Sequence, residues 1–193
     1  MTTAHAVAPQ TSASRLRRLY LARFAFVLVW AAAFAASASP LGAVGFALAV
    51  AYPLVDVVAL LVDAREASAT GRPTRVLHLN VAFSLAAAVA LLAVGKDDVA
   101  DILVVWGVWA IASGATQLAV GIARRAELRG QGPMMASGAI SVLAGASFAA
   151  TAQDATSATG IAGYATLGGI FFLVAALRLG RRSAASVEGG PRA

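Results

Sequence analysis

Six long apolar runs constrain the fold of this chain more than any other feature of its sequence. The runs cover residues 19–37, 41–62, 76–94, 99–123, 133–152 and 159–179. A transmembrane helix needs about 20 mainly apolar residues to cross the hydrocarbon core of a bilayer. The composition agrees, because 60% of the residues are apolar and only 12% are charged. We therefore predict an all-α integral membrane protein with six transmembrane helices.

The connections between the runs predict three antiparallel hairpins. The first, third and fifth connections are short turns, at Ser39-Pro40, at residues 95–98 and at residues 153–158. The second and fourth connections, 63–75 and 124–132, are basic loops. Small and polar residues make up the two ends, 1–18 and 181–193, which are predicted to be disordered tails.

The distribution of positive charge predicts the orientation. With both tails on one side, that side holds every one of the 15 Lys and Arg residues except Lys96. Positive residues favour the cytoplasmic side, so we expect a multi-pass protein of the inner (plasma) membrane with both termini in the cytoplasm. A secretory signal is the alternative interpretation of the first run. Its length favours an uncleaved helix, since a signal has an apolar region of about 7 to 15 residues.

Sequence similarity between the hairpins predicts internal repeats. The segment from Trp109-Ala110 to Ser113-Gly114 aligns with the segment from Tyr164-Ala165 to Gly168-Gly169. The second run fits less well, with Tyr52-Pro53 at the corresponding place. Three such hairpins would be parallel repeats around an axis along the membrane normal.

Small side chains recur every four residues in the fifth run, at Ser137, Ser141, Gly145 and Ala149. Such a face lets two helices approach closely, and a neighbouring helix of the same chain is favoured over another subunit. Three tryptophans lie several residues inside their runs and are predicted to be packing residues, namely Trp30, Trp106 and Trp109.

Asp56 is the most unusual residue of the apolar runs. An Asp at the centre of a membrane helix costs about 2.5 to 3.5 kcal/mol, so it is expected to face inward and to have a partner. Helical rise places Asn80, Ser84 and Gln117 at a similar depth, which predicts an intramembrane polar cluster with Asp56. The cluster is either an ion or proton site or a contact that holds helices together. Packing is favoured, because no second acidic residue lies deep in another run.

Two further residues could carry charge near the cluster. Arg23, about one turn inside the first run, could form an ion pair with Asp63 or reach Asp56 if the first two helices pack antiparallel. His78 lies just inside the third run, where an imidazole could respond to pH, although an interfacial anchor is the commoner role.

Several classes of function are excluded. The chain has no cysteine, and neither an HExxH pair, a Walker loop nor a dinucleotide fingerprint is present. We therefore predict no enzyme, no cofactor and no metal site. The net charge of +6 does not indicate nucleic-acid binding, because the basic residues flank apolar runs without interleaved aromatics. The lipid bilayer is the expected partner, together with a second copy of the chain or other membrane proteins.

The runs also carry a family resemblance, from residue 41 to residue 179. The chain resembles the HdeD-like proteins, short-repeat membrane proteins of bacteria whose domain has no assigned function. The residues that carry the resemblance are Tyr52-Pro53, Asp56, Asp63-Ala64-Arg65, Asn80, Ser84, Gly107-Val108-Trp109-Ala110, Gly114, Gln117-Leu118, Arg124-Arg125, Ser137-Gly138, Ser141 and Ala144-Gly145.

The resemblance implies a six-helix bundle and a link to acid resistance, and it supplies no catalytic or ligand residue. We therefore expect a non-enzymatic membrane protein that supports envelope or acid-stress tolerance. A small proton-linked transporter or channel that uses the Asp56 cluster is the alternative.

Overall fold

The computed structural model describes residues 8–124 and 132–188, and its helices follow the apolar runs. The helices are α1 (Ala8–Ser37), α2 (Ala43–Ala69), α3 (Arg75–Val94), α4 (Val99–Arg124), α5 (Gly132–Thr151) and α6 (Gly160–Glu188), with a 3₁₀ turn at Ala152–Asp154. All six are long and apolar enough to cross a membrane. A lipid-exposed backbone must satisfy its own N–H and C=O groups, which an α-helix does within one segment. The prediction of an all-α membrane protein with six helices is confirmed.

Three helices extend beyond the predicted boundaries. α1 begins at Ala8, so residues 8–18 of the predicted tail 1–18 are helical, and α6 includes residues 181–188 of the predicted tail 181–193. Residues 1–7 and 189–193 lie outside the described part of the chain, as does 125–131 in the fourth connection. The two long helices pack against each other, and the guanidinium of Arg17 lies beside Gly180. Ala, Leu and Arg favour a helix, so loss of apolar character alone does not end one.

The second connection is shorter than the sequence indicates. α2 continues to Ala69, through Asp63 and Arg65, and the loop to α3 contains only residues 70–74. Gly71 has a φ of 68° and Pro73 follows, so the helix ends where residues that favour turns begin. Asp63 is therefore a helical residue on the same face as Asp56, two turns away.

The helices form a ring in chain order, in which each contacts the next and α6 contacts α1. The more extensive interfaces are α2–α3, α4–α5 and α6–α1, whereas α1–α2, α3–α4 and α5–α6 touch less. The three predicted hairpins are thus present as neighbours, but the main packing lies between hairpins. This alternation is the pattern that three repeats around a common axis produce.

One hydrogen bond occurs in equivalent places in two hairpins. Trp109 Nε1 donates to Ser84 Oγ, 25 residues earlier, at 3.1 Å. Tyr164 Oη donates to Ser141 Oγ, 23 residues earlier, at 3.2 Å. The two aromatic residues are those aligned in the sequence, and each bonds a serine of the helix before its own. The second and third hairpins therefore share this contact between helices as well as the aligned aromatic residue.

An aromatic cluster fills the half of the ring nearer Lys96. Trp30 lies at its centre, with ring centroids 4.5 Å from Tyr52, 4.8 Å from Phe34 and 5.8 Å from Trp106. Trp109 packs edge-on against Trp106, with the centroids 5.1 Å apart. The three tryptophans are buried. This half of the bundle is a packed core.

Glycines bring α4 and α5 into direct backbone contact. A Cβ atom added at Gly107 would lie 2.7 Å from the carbonyl oxygen of Gly145, and one added at Gly114 would lie 2.7 Å from that of Gly138. The contacting face of α5 thus includes Ser141 and Gly145 of the predicted small-residue face, and the partner is a helix of the same chain. Close approach of this kind maximises dispersion contacts in a membrane, where no hydrophobic effect drives helices together.

We expect Gly145→Ala to destabilise the protein by about 1 to 3 kcal/mol, because the new methyl group would overlap the backbone of α4. Gly168→Ala in α6 is the matched control, since a Cβ there meets no atom within 4 Å. Thermal unfolding in detergent, followed by tryptophan fluorescence, compares the two. Equal midpoints for both variants would contradict the close contact.

Candidate functional site

The candidate site is built around Asp56, whose side chain is 17% exposed on the inward side of α2. Its Oδ1 atom forms an ion pair with Nη2 of Arg23 on α1. Nη1 of Arg23 lies 3.8 Å from Oδ2 of Asp63, so the predicted partners Arg23 and Asp63 are also within ion-pair distance. A single guanidinium therefore lies between two carboxylates that are two turns apart on α2.

The second carboxylate oxygen of Asp56 faces α3. Ser84 Oγ donates to Asp56 Oδ2 at 3.0 Å and accepts the hydrogen bond from Trp109 on α4. Ser84 is fully buried. Both oxygens of the carboxylate thus have a protein partner, as a buried ion pair requires if its desolvation is to be offset. Arg23, Asp56, Asp63, Ser84 and Trp109 are called the Asp56 network below.

An aromatic ring of α6 completes the surroundings of Arg23. The guanidinium carbon lies 4.1 Å from the centroid of Phe172, a cation–π geometry. Through Arg23 and Ser84 the Asp56 network touches α1, α2, α3, α4 and α6. It therefore connects five of the six helices, among them the pair α6–α1 that closes the ring.

A small cavity lies beside the ion pair. Its volume is about 20 Å³, and Arg23, Tyr52, Asp56 and Phe172 are among the residues that line it. This volume holds about one water molecule. The site therefore has no room for an organic substrate. In the described residues no three His, Asp or Glu side chains come close enough together to hold a metal ion.

The other predicted members lie apart from the Asp56 network. Asn80 has a buried Oδ1 atom that bonds no atom of the described chain. Gln117 is half-buried and His78 is exposed. Within residues 8–124 and 132–188, neither side chain donates to or accepts from the network. Two residues of the predicted cluster, Asp56 and Ser84, are thus in contact, and the remaining two are not.

The sequence prediction differs from the Asp56 network in two contacts, the bond from Trp109 to Ser84 and the ion pair of Arg23 with Asp56. Trp109 was assigned to packing alone, although a buried indole N–H usually has an acceptor. Asp63 was named as the partner of Arg23, but Asp56 is the closer carboxylate. The position of the Ser39-Pro40 turn could have predicted the pair, because Arg23 and Asp56 are equally far from this turn along the chain. Residues equidistant from a tight turn lie at the same level of an antiparallel pair.

Comparison of the chain with protein-family models, with curated proteins and with solved structures gives no match. The resemblance to the HdeD-like proteins therefore stays a prediction, and function has to be argued from the geometry of the site.

We expect Asp56→Leu and Arg23→Met each to lower the free energy of unfolding by roughly 3 kcal/mol, because each leaves a charged group in the interior without its main partner. The double variant should lose much less than the sum, since it removes both charges. A double-mutant cycle in detergent measures this coupling.

Asp97→Asn is the control for the cycle. Asp97 also forms an ion pair, with Lys96, but its side chain is 88% exposed. Exposed pairs contribute little, so no measurable change is expected. Additive losses for Arg23 and Asp56 would contradict their assignment as a stabilising pair.

Proposed function

We propose that this chain is a non-enzymatic membrane protein of the HdeD-like type, which supports envelope or acid-stress tolerance through contacts within the membrane. The observation that carries the proposal is the full use of Asp56 in tertiary contacts. Its carboxylate bonds Arg23 and Ser84, and the adjacent cavity holds about one water molecule. The carboxylate therefore links α2 to α1 and α3.

The second candidate is a proton-linked transporter or channel. One observation favours it, namely the position of a single guanidinium between Asp56 and Asp63 beside a water-sized cavity. The path from Asp56, however, leads through Ser84 to the indole of Trp109. An indole N–H can donate but cannot accept, so it does not pass a proton onward. Packing is therefore the better-supported role.

The proposal includes an orientation in the inner (plasma) membrane, with both termini in the cytoplasm. Its support is the charge at the two ends of the bundle. Arg15, Arg18, Arg72 and Arg75 lie at one end, which we call the arginine-rich end, and Lys96 lies at the other. A positively charged end favours the cytoplasm. Other membrane proteins or a second copy of the chain are the partners that such a role requires.

We expect liposomes that contain the purified chain to show the same proton leak as empty liposomes. An imposed pH gradient and an internal pH-sensitive dye give the rate. Asp56→Asn is the matched variant, because it keeps the size of the side chain and removes the charge. A wild-type flux that Asp56→Asn abolishes would support the transporter and contradict the packing role.

The stress role predicts that deletion of the gene lowers survival after acid challenge, and that the wild-type gene restores it. Counting viable cells of the deletion strain, with and without a plasmid copy, provides the measurement. Growth at neutral pH serves as the control and should be unchanged. Equal acid survival of the deletion and parent strains would refute the stress role.

A further inference from the structure

Three buried polar atoms in the second hairpin bond no atom of the described chain. One is Nε1 of Trp106, which lies in the aromatic cluster, and the other two are Oδ1 of Asn80 on α3 and Oγ of Ser113 on α4. A buried polar atom without a partner costs about 1 to 3 kcal/mol. Lipid offers such atoms no hydrogen bonds, so a partner must come from inside the protein.

The register between α3 and α4 brings Asn80 and Ser113 to the same level. The helices are antiparallel, and the bond from Trp109 to Ser84 fixes their alignment at 3.1 Å. One helical turn from Ser84 toward the arginine-rich end is Asn80, and one turn from Trp109 in the same direction is Ser113. Residues four apart lie on one face of a helix, so Asn80 and Ser113 face the same side as the bonded pair.

In the first hairpin, an ion pair occupies the position that corresponds to Asn80 and Ser113. Arg23 and Asp56 are 33 residues apart and form the ion pair between α1 and α2. Asn80 and Ser113 are separated by the same number of residues, on α3 and α4. The side chains of Asn80 and Ser113 are much shorter than that of arginine. Neither side chain therefore extends as far between its helices as the guanidinium does in the first hairpin.

We propose that Asn80 and Ser113 form a second intramembrane polar site, which binds one water molecule between α3 and α4. Asn80 Oδ1 can only accept, and a serine hydroxyl can donate or accept, so a water molecule can satisfy both. Buried water typically makes two to four such bonds. A cation is disfavoured, because hard cations take about six or more oxygen ligands and this site offers two without a carboxylate.

The bound water would extend the polar layer of the bundle. Asn80 and Ser84 lie one turn apart on α3, so the water lies beside the Asp56 network without belonging to its hydrogen bonds. The layer then reaches from the ion pair between α1 and α2 to the interface between α3 and α4. Register and burial alone define this water site, whether or not the protein acts in acid tolerance.

Selective labelling gives a direct test, because Asn80 is the only asparagine of the chain. Protein grown with ¹³C,¹⁵N-asparagine has a single asparagine Cγ resonance. In lipid bilayers, solid-state NMR can measure polarisation transfer from water protons to this carbon. We expect transfer at short mixing times, as for a carbon within hydrogen-bond range of water. Absence of transfer in the wild-type protein would overturn the proposal.

Variants of Ser113 test whether its hydroxyl group also binds the water molecule. Ser113→Ala removes one of the two bonds of the water, so the transfer to Asn80 Cγ should be lost. Ser113→Thr retains a hydroxyl and should retain the transfer, which also covers the case in which Ser113→Ala does not fold. Ser137→Ala is the control, because Ser137 occupies the position of Asn80 in the third hairpin and is absent from the site. Equal transfer in Ser113→Ala and the wild type would overturn the bridging role.

Exchange of sodium for choline in the buffer distinguishes water from an ion. A bound water leaves the Cγ resonance unchanged. A shift of that resonance on exchange would assign a cation to the site and would contradict the proposal.

Discussion

A carboxylate inside an apolar helix must find partners within the protein, and much of this bundle is arranged around that requirement. Asp56 lies on α2, and its two oxygens bond Arg23 on α1 and Ser84 on α3. Arg23 in turn stacks on Phe172 of α6, and Ser84 accepts from Trp109 of α4. Lipid offers none of these bonds, so moving one helix away would leave a charged or polar group unsatisfied. The requirement of one residue thereby fixes the relative positions of five helices.

The α4–α5 interface is held by shape. α4 and α5 meet through glycines, whose missing side chains let the two backbones touch. The half of the ring nearer Lys96 is filled by the rings around Trp30. In a membrane such contacts depend on packing density, since lipid tails are as apolar as the side chains. Polar bonds specify which helices meet, and close packing stabilises the interfaces that the bonds do not reach.

The three hairpins carry different polar side chains at equivalent positions. The second and third hairpins share the bond between an aromatic residue of the later helix and a serine of the earlier helix. At the next level, the first hairpin has Arg23 with Asp56, and the second has Asn80 with Ser113. Gly168 lies at the position of Asp56 in the third hairpin and leaves open space. The polar layer is therefore asymmetric within a repeated frame, because Arg23 forms its ion pairs with Asp56 and Asp63 in the first hairpin.

The sequence by itself determined the six helices and the inward position of Asp56, because apolar length and the cost of a buried charge are local properties of the chain. It also indicated Ser84 as a neighbour and the alignment of Trp109 with Tyr164. It misjudged the helix ends at Ala8, Ala69 and Glu188, since polar residues can continue a helix. Only the tertiary structure decided that Trp109 rather than Gln117 reaches Ser84, and that hairpins pack mainly against their neighbours. Those outcomes depend on helix rotation and register, which the contacts of all six helices set together.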